Sequence, residues 1–253
     1  MDSKLNGTVA IVTGASSGIG DATARRLAEH GATVAVIARR GDRLDALVKD
    51  IEAAGGAALA IAADITDRAQ ADRAVQTVAD RFGRVDILIN NAGLMLLGPI
   101  VGADVDEWER MIAVNQKGLL YITNAALPHL LKAAADEPRQ VADIVNISSI
   151  AGRVAWANYG VYNMTKFGVN GFTEALRQEV TKKHVRVGVL EPGAVDTELV
   201  SHNNETVKSE LAASDAIAEP LQPDDIADNI AFMVTRPRRS SIAELWAMPT
   251  SQA

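Results

Sequence analysis

The chain has 253 residues, of which 48% are hydrophobic and only 4% aromatic, and 25 Lys and Arg against 32 Asp and Glu give a net charge of −7. That balance excludes a general binder of nucleic-acid backbones, and the absence of cysteine excludes disulfides, thiolate catalysis and Cys-based zinc sites. The four histidines, His30, His129, His184 and His202, show no metal-pair spacing and read as surface or packing residues.

The first residues, MDSKLNGTVAIVTG, lead into an apolar run of strand length without a leader-like segment. No stretch approaches the roughly 18 apolar residues of a membrane span, so a soluble cytoplasmic protein that engages neither membrane nor nucleic acid is expected. In chain order, residues 8–14 read as a buried strand and 19–31 as a helix with apolar Ile19, Ala22, Leu27 and Ala28, closed by Gly31. Strand 33–38, helix 42–54, strand 57–64, helix 67–82 and strand 85–90 follow. The second half continues with one long helix over 104–134, kinked at Pro128, then strand 142–148, helix 160–183, strand 185–191, helix 223–235 and a short strand near 242–247. The alternation implies right-handed crossovers and a parallel sheet covered on both faces, a doubly wound α/β fold. No linker interrupts it, so residues 1–253 are expected to form one domain. The polar, aperiodic stretch 196–222 reads as a mobile flap over a site.

Two local patterns carry chemistry. The first strand runs into TGASSGIG, where Gly14, Gly18 and Gly20 permit a tight turn and let a pyrophosphate approach a helix N-terminus, whose free N–H groups and dipole favour an anion. The spacing is Gly-x-x-x-Gly-x-Gly rather than the usual Gly-x-Gly-x-x-Gly. In VYNMTKFG, Tyr162 and Lys166 stand four apart, on one face of a helix. Taken alone, that pair also fits a surface helix with a solvated lysine.

Together with NNAG at 90–93, these patterns resemble the short-chain dehydrogenase/reductase family over nearly the whole chain and in the family's order. The resemblance implies a single-domain Rossmann oxidoreductase with a seven-stranded sheet, a nicotinamide cofactor and no metal. It selects Ser149 over Ser148, thirteen residues before the tyrosine, and Asn115 as the other members of a catalytic set with Tyr162 and Lys166. It also implies cofactor contacts at Gly14, Ser16, Ser17, Gly18, Ile19 and Gly20, at Asp64 and Ile65, at Asn91, Ala92 and Gly93, at Tyr162 and Lys166, and at Pro192, Gly193, Val195 and Thr197. Asn90 would support the sheet beside the cofactor. Bland alternatives stand beside several of these: a strand-end serine capping a turn, a helix-interior asparagine, a capping aspartate.

The chemistry explains the Tyr–Lys spacing. A carbonyl that accepts hydride must also receive a proton, which Tyr162 would donate, or remove in reverse. An ammonium about 4 Å away at an effective dielectric of about 20 contributes roughly 4 kcal/mol, about 3 pK units, enough to bring the phenol toward neutrality. Ser149 would hydrogen-bond the reacting oxygen, Lys166 would also hold the nicotinamide ribose, and Asn115 would hold a water relaying protons to it. Where NAD enzymes place an acid about 20 residues after the glycine turn, this chain has Ala38 followed by Arg39 and Arg40. A guanidinium there favours the 2′-phosphate of NADP, with Arg39 the main contact, although a solvated pair would read the same. Ser17 lacks the positive charge of some NADP-preferring members.

The expected substrate wall is Leu94–Leu97, Ile150–Trp156, Tyr159, Glu191 and the flap, with Arg153 and Glu191 either as polar handles or facing solvent. NNAGLMLLGPI, SSIAGRV and TKFGVNGFTEALRQEV resemble the branch containing clavulanate-forming aldehyde reductases, and the ending MPTSQA resembles dehydrogenases of serine-like and 3-hydroxy acids. NADPH-linked reduction of an aldehyde or ketone is therefore expected, with oxidation of a small 3-hydroxy acid second and a nucleotide sensor without turnover as the alternative of another class. Surplus apolar positions on the helices near 104–134 and 160–180, which relatives commonly pair, point to a homo-oligomer, a dimer or tetramer.

Overall fold

The structure, a computed structural model, describes residues 4–212 and 219–252. Seven short runs rich in Val, Ile, Leu and Ala form the strands: β1 (Val9–Thr13), β2 (Thr33–Ala38), β3 (Ala57–Ala62), β4 (Ile87–Asn90), β5 (Ala142–Ile147), β6 (Val185–Pro192) and β7 (Glu244–Ala247). They make one parallel sheet in the order β3-β2-β1-β4-β5-β6-β7. The helices are α1 (Gly18–Glu29), α2 (Gly41–Ala53), α3 (Arg68–Phe82), α4 (Val105–Ile112), α5 (Leu119–Ala133), α6 (Gly160–Val180), α7 (Glu205–Ala212) and α8 (Pro223–Val234). Among the described residues, no helix is long and apolar enough to cross a membrane.

Both faces of the inner strands β1, β2, β4, β5 and β6 are mostly apolar because neither meets water, whereas the edge strands β3 and β7 are partly exposed. Strand residues alternate in direction, so Ile11, Ala35, Leu88, Ile144 and Val187 pack against α3, α5 and α6. Their neighbours Ala10, Val34, Ile87, Val145 and Leu190 pack against α1, α2 and α8. A third cluster, Leu94–Leu97 with Met111, Ala151, Tyr162 and Val207, lies beyond the strand ends. Helix starts follow local chemistry: Asp67 accepts from the Gln70 amide at 3.0 Å, and Asp225 accepts from the Gln222 amide at 2.8 Å beside Pro223. Strand order reverses between β1 and β4, which opens a crevice at the carboxyl ends of the strands.

The segment 104–134 differs from the expected single helix. Pro128 lies inside α5, and the break in regular geometry lies upstream, in a π turn over Ala113–Gly118 between α4 and α5. Two contacts hold the wider turn. The Asn115 amide is captured by the Leu94 backbone and by Thr165, and Gly118 packs so closely on Ile65 that a Cβ there would come within 2.7 Å of its side chain. The expected flap contains a 3-10 turn at Glu198–His202 and α7, and its residues 213–218 lie outside the described residues.

Candidate active site

The crevice holds a cavity of about 890 Å³, walled by the loops that follow β1 to β6. Its floor is the glycine turn. Gly14 has φ +66°, and a Cβ there would lie 2.7 Å from Ala92 Cα; at Gly20 a Cβ would lie 2.4 Å from the Gly14 carbonyl. The turn therefore needs glycine for conformation at the first position and for close approach at the second. Asn91 locks it, donating from Nδ2 to the Thr13 carbonyl (3.0 Å) and the Gly14 carbonyl (3.3 Å). Ser17, at the start of α1, accepts from Arg40 rather than capping the helix, so the first turn, with Gly18 and Ile19 lining the cavity, keeps its amides for an anion. Ser16, Asp64, Ile65, Ala92 and Gly93 line the same space, as do Pro192, Gly193, Val195 and Thr197. A bare glycine cradle, a helix N-terminus and an arginine-lined corner in one long crevice fit a phosphorylated dinucleotide.

Three of the four expected catalytic residues, Ser149, Tyr162 and Lys166, line this cavity, whereas Asn115 is buried and does not line it. Asn90 donates to Thr123 Oγ1 (2.9 Å) and Asn146 Oδ1 (2.8 Å), and Asn146 donates to Thr173 Oγ1 (2.8 Å), a buried polar string that pins α5 and α6 to the sheet. At the end of β5, Ser149 Oγ accepts from the Ala151 amide (3.1 Å) and faces the cavity. Its neighbour Ser148 is buried and donates to the Lys166 carbonyl at 3.2 Å. Tyr162 and Lys166 occupy the buried face of α6, 5% and 6% exposed. Asn115 Oδ1 accepts from the Leu94 amide at 2.7 Å, and its Nδ2 donates to the Leu94 carbonyl (2.9 Å) and Thr165 Oγ1 (3.0 Å).

The electrostatics of this cluster correct one expectation. Lys166 Nζ donates to the Ile147 carbonyl at 3.0 Å and stands 5.7 Å from the centroid of the Tyr162 ring. Burial lowers the ammonium to about 8. Burial likewise pushes the Tyr162 phenol up to about 12; hydrogen bonding to Ser149 opposes the rise and Tyr159 adds to it. The phenol is thus not brought toward neutrality in the protein alone, because burial disfavours the charged form of each group.

The substrate wall is only partly as expected. Leu94, Met95, Ile150, Ala151, Trp156 and Tyr159 line the cavity, with Leu199, Val200 and His202 from the flap. Leu96 and Leu97 are buried behind it. Glu191 is fully buried: its Oε1 accepts from Arg153 Nε (2.7 Å) and Asn170 Nδ2 (2.6 Å), while Arg153 also pairs with Glu244. Neither Arg153 nor Glu191 lines the cavity, and Glu191 does not face solvent; a carboxylate at the end of β6 is covered by α6 and held by its cation.

Sequence reasoning missed Gln252, and it read His202, inside the expected flap, as a surface or packing residue. His202 is in the wall, where burial and the nearby Arg40 lower its pKa. Gln252 folds back so that its Oε1 accepts from the Ala194 amide at 2.9 Å, and the unusual tail MPTSQA was the available signal. In the corner beyond the glycine turn, Arg39 lines the cavity but Arg40 makes the hydrogen bonds, to Ser16 Oγ (3.1 and 2.9 Å) and Ser17 Oγ (2.8 Å).

Comparison with known proteins agrees with this geometry. The family model described as short chain dehydrogenase matches residues 8–208. An uncharacterised oxidoreductase of Staphylococcus saprophyticus is 37% identical over 249 residues, 97% of each chain. A metagenomic short-chain oxidoreductase crystallised with NADP superposes with a TM-score of 0.81 at 34% identity, over 98% of this chain and 99% of that one. The 3-ketoacyl-(acyl-carrier-protein) reductase of Brucella melitensis, complexed with NADH, gives 0.86 at 32% identity, over 98% and 100%. With its sheet order, glycine turn and Ser-Tyr-Lys cluster, the chain belongs to the short-chain dehydrogenase/reductase family of oxidoreductases.

Proposed function

We propose that this oxidoreductase uses NADPH to reduce an aldehyde or ketone to an alcohol, with Tyr162 as the general acid. The observation that supports it is geometric: Tyr162, Ser149 and Lys166 meet at the wall of the cavity, and burial favours the protonated phenol that a proton donor needs.

A nicotinamide cofactor bound in the crevice would supply the hydride that the carbonyl carbon receives. Ser149 donates a hydrogen bond to the carbonyl oxygen as negative charge builds there, and Tyr162 delivers its proton to the same atom. Lys166 holds the nicotinamide ribose and the charge that develops on Tyr162. The Asn115 side-chain amide is committed to Leu94 and Thr165, so its part is to tie the loop after β4 to α6 beside the site. Asp64 and Ile65 would contact the adenine, although the Asp64 carboxylate also fixes the turn to Thr66 at 2.9 Å. Pro192, Gly193, Val195 and Thr197 line the cavity and would hold the carboxamide of the ring.

The preference for NADPH rests on the arginines after β2 and is supported by the NADP held by the metagenomic relative; the NADH in the Brucella reductase shows that both cofactors occur among similar structures. A homo-oligomer, dimer or tetramer, is proposed from Leu120 on α5 and Met164 and Phe167 on α6, which are 41%, 50% and 45% exposed. The activity is tested by NADPH consumption over a panel of aldehydes, ketones and 3-oxo acids, with NADP-coupled oxidation of 3-hydroxy acids in parallel. Turnover of aldehydes or ketones faster with NADPH than NADH is expected; turnover confined to 3-hydroxy acid oxidation, or none, contradicts the reading.

A further inference from the structure

Arg40 and Arg43 form an anion site that the protein fills from its own chain. Arg40 precedes α2 and Arg43 lies in its first turn, so two guanidiniums crowd the positive end of a helix dipole, the end that disfavours cations. Asp42 between them forms no salt bridge with either among the described residues. The compensating charge comes from the other side of the crevice. Glu198, first residue of the 3-10 turn after β6, accepts from Arg40 Nη1 at 2.8 Å through Oε2 and from Arg43 Nη1 at 2.7 Å through Oε1. The two arginines hold its carboxyl at about 2, so it is ionised throughout the working range. Arg40 meanwhile keeps Nε and Nη2 on the hydroxyls of Ser16 and Ser17, which belong to the glycine turn.

We propose that the Glu198 carboxylate is a built-in competitor for the 2′-phosphate of the cofactor, occupying the Arg40–Arg43 pair until a phosphate displaces it. The inference rests on the NADPH reading above. A phosphate in this corner offers three acceptor oxygens and up to two negative charges to Arg40, Arg43, Ser16 and Ser17, where Glu198 offers two oxygens and one charge. Both anions cannot share the pair, because like charges at contact distance repel. Displacement releases the 198–202 turn, and Leu199, Val200 and His202 of that turn line the cavity. Glu198 therefore sets how strongly the phosphorylated cofactor is preferred and couples its phosphate to the substrate wall.

The test is calorimetric binding of adenosine 2′,5′-bisphosphate and of 5′-AMP to the wild-type protein and to Glu198→Gln, with hydrogen exchange of the 198–202 amides. Glu198 is exposed, so the variant is expected to fold. Removing the competitor should tighten the bisphosphate by roughly two- to tenfold, the scale of two exposed ion pairs, and leave 5′-AMP unchanged. The bisphosphate, but not 5′-AMP, should speed exchange at 198–202 in the wild type. Equal or weaker bisphosphate binding by Glu198→Gln overturns the proposal; if the wild type still prefers the bisphosphate over 5′-AMP, the NADPH reading survives that result. If neither protein prefers the bisphosphate, both fall, whereas a preference that emerges only in the variant supports the competitor role.

Discussion

At the scale of single residues, the four-residue spacing of Tyr162 and Lys166 was legible because helix geometry alone puts both on one face, and it does. What they do to one another's protons was not legible, because burial is a property of the packed structure. Lys166 shows the consequence. Its folded pKa of about 8 lies below the ordinary 10.5, so the unfolded chain binds its proton more tightly. The resulting destabilisation is fully present below pH 8 and fades as pH rises to about 10.5, since stability increases wherever the unfolded state holds more protons. Replacing Lys166 by Met in the cofactor-free protein is therefore expected to stabilise it by on the order of 2 kcal/mol at pH 7, after allowance for the lost bond to the Ile147 carbonyl. Urea unfolding should show that gain shrinking between pH 8 and 10.5; a variant destabilised equally at both ends of that window would contradict the burial argument. Arg40 and Glu198 mark the other limit, since no local pattern joins positions 158 apart in the chain.

At the scale of elements, strands were read with near-correct bounds wherever β-branched and apolar residues ran together, as in β1, β2 and β5. Helices followed where capping chemistry reinforced periodicity, as at Asp67 and Pro223. The segment 104–134 departed from expectation because its apolar period continues through the π turn, and nothing local announces that Asn115 will be held by Leu94, 21 residues away. Pro128 was the visible signal, yet the break lies upstream, where Asn115 is held by Leu94 and Thr165 and Gly118 packs on Ile65. In the flap, the polar composition of 196–222 concealed two helical segments, Glu198–His202 and α7. Glu191 was misplaced for a related reason: a charged residue ending a central strand reads as a site residue unless its cover, here Arg153 and Asn170, is known.

At the scale of the whole molecule, the alternation of strand and helix, with the rule that parallel crossovers are right-handed, sufficed for a doubly wound sheet, and the crevice lies where strand order reverses. The glycine turn, the serine at the end of β5 and the Tyr-Lys helix reach that crevice from separate stretches of chain, which is why their order along the sequence carried more information than any one motif. Association is less directly written. Leu120, Met164 and Phe167 leave apolar surface outside the described core, and light scattering at micromolar concentration should return a mass at least twice that of the chain; a monomeric mass would remove the oligomer from the account. The central claim, that the Tyr162 hydroxyl passes a proton to the reacting oxygen, is tested most directly by Tyr162→Phe. The account predicts that kcat for NADPH-linked carbonyl reduction falls by about 10²–10⁴-fold while the dissociation constant of NADPH changes by no more than about twofold, less than about 0.4 kcal/mol. An unchanged kcat in that variant would contradict it.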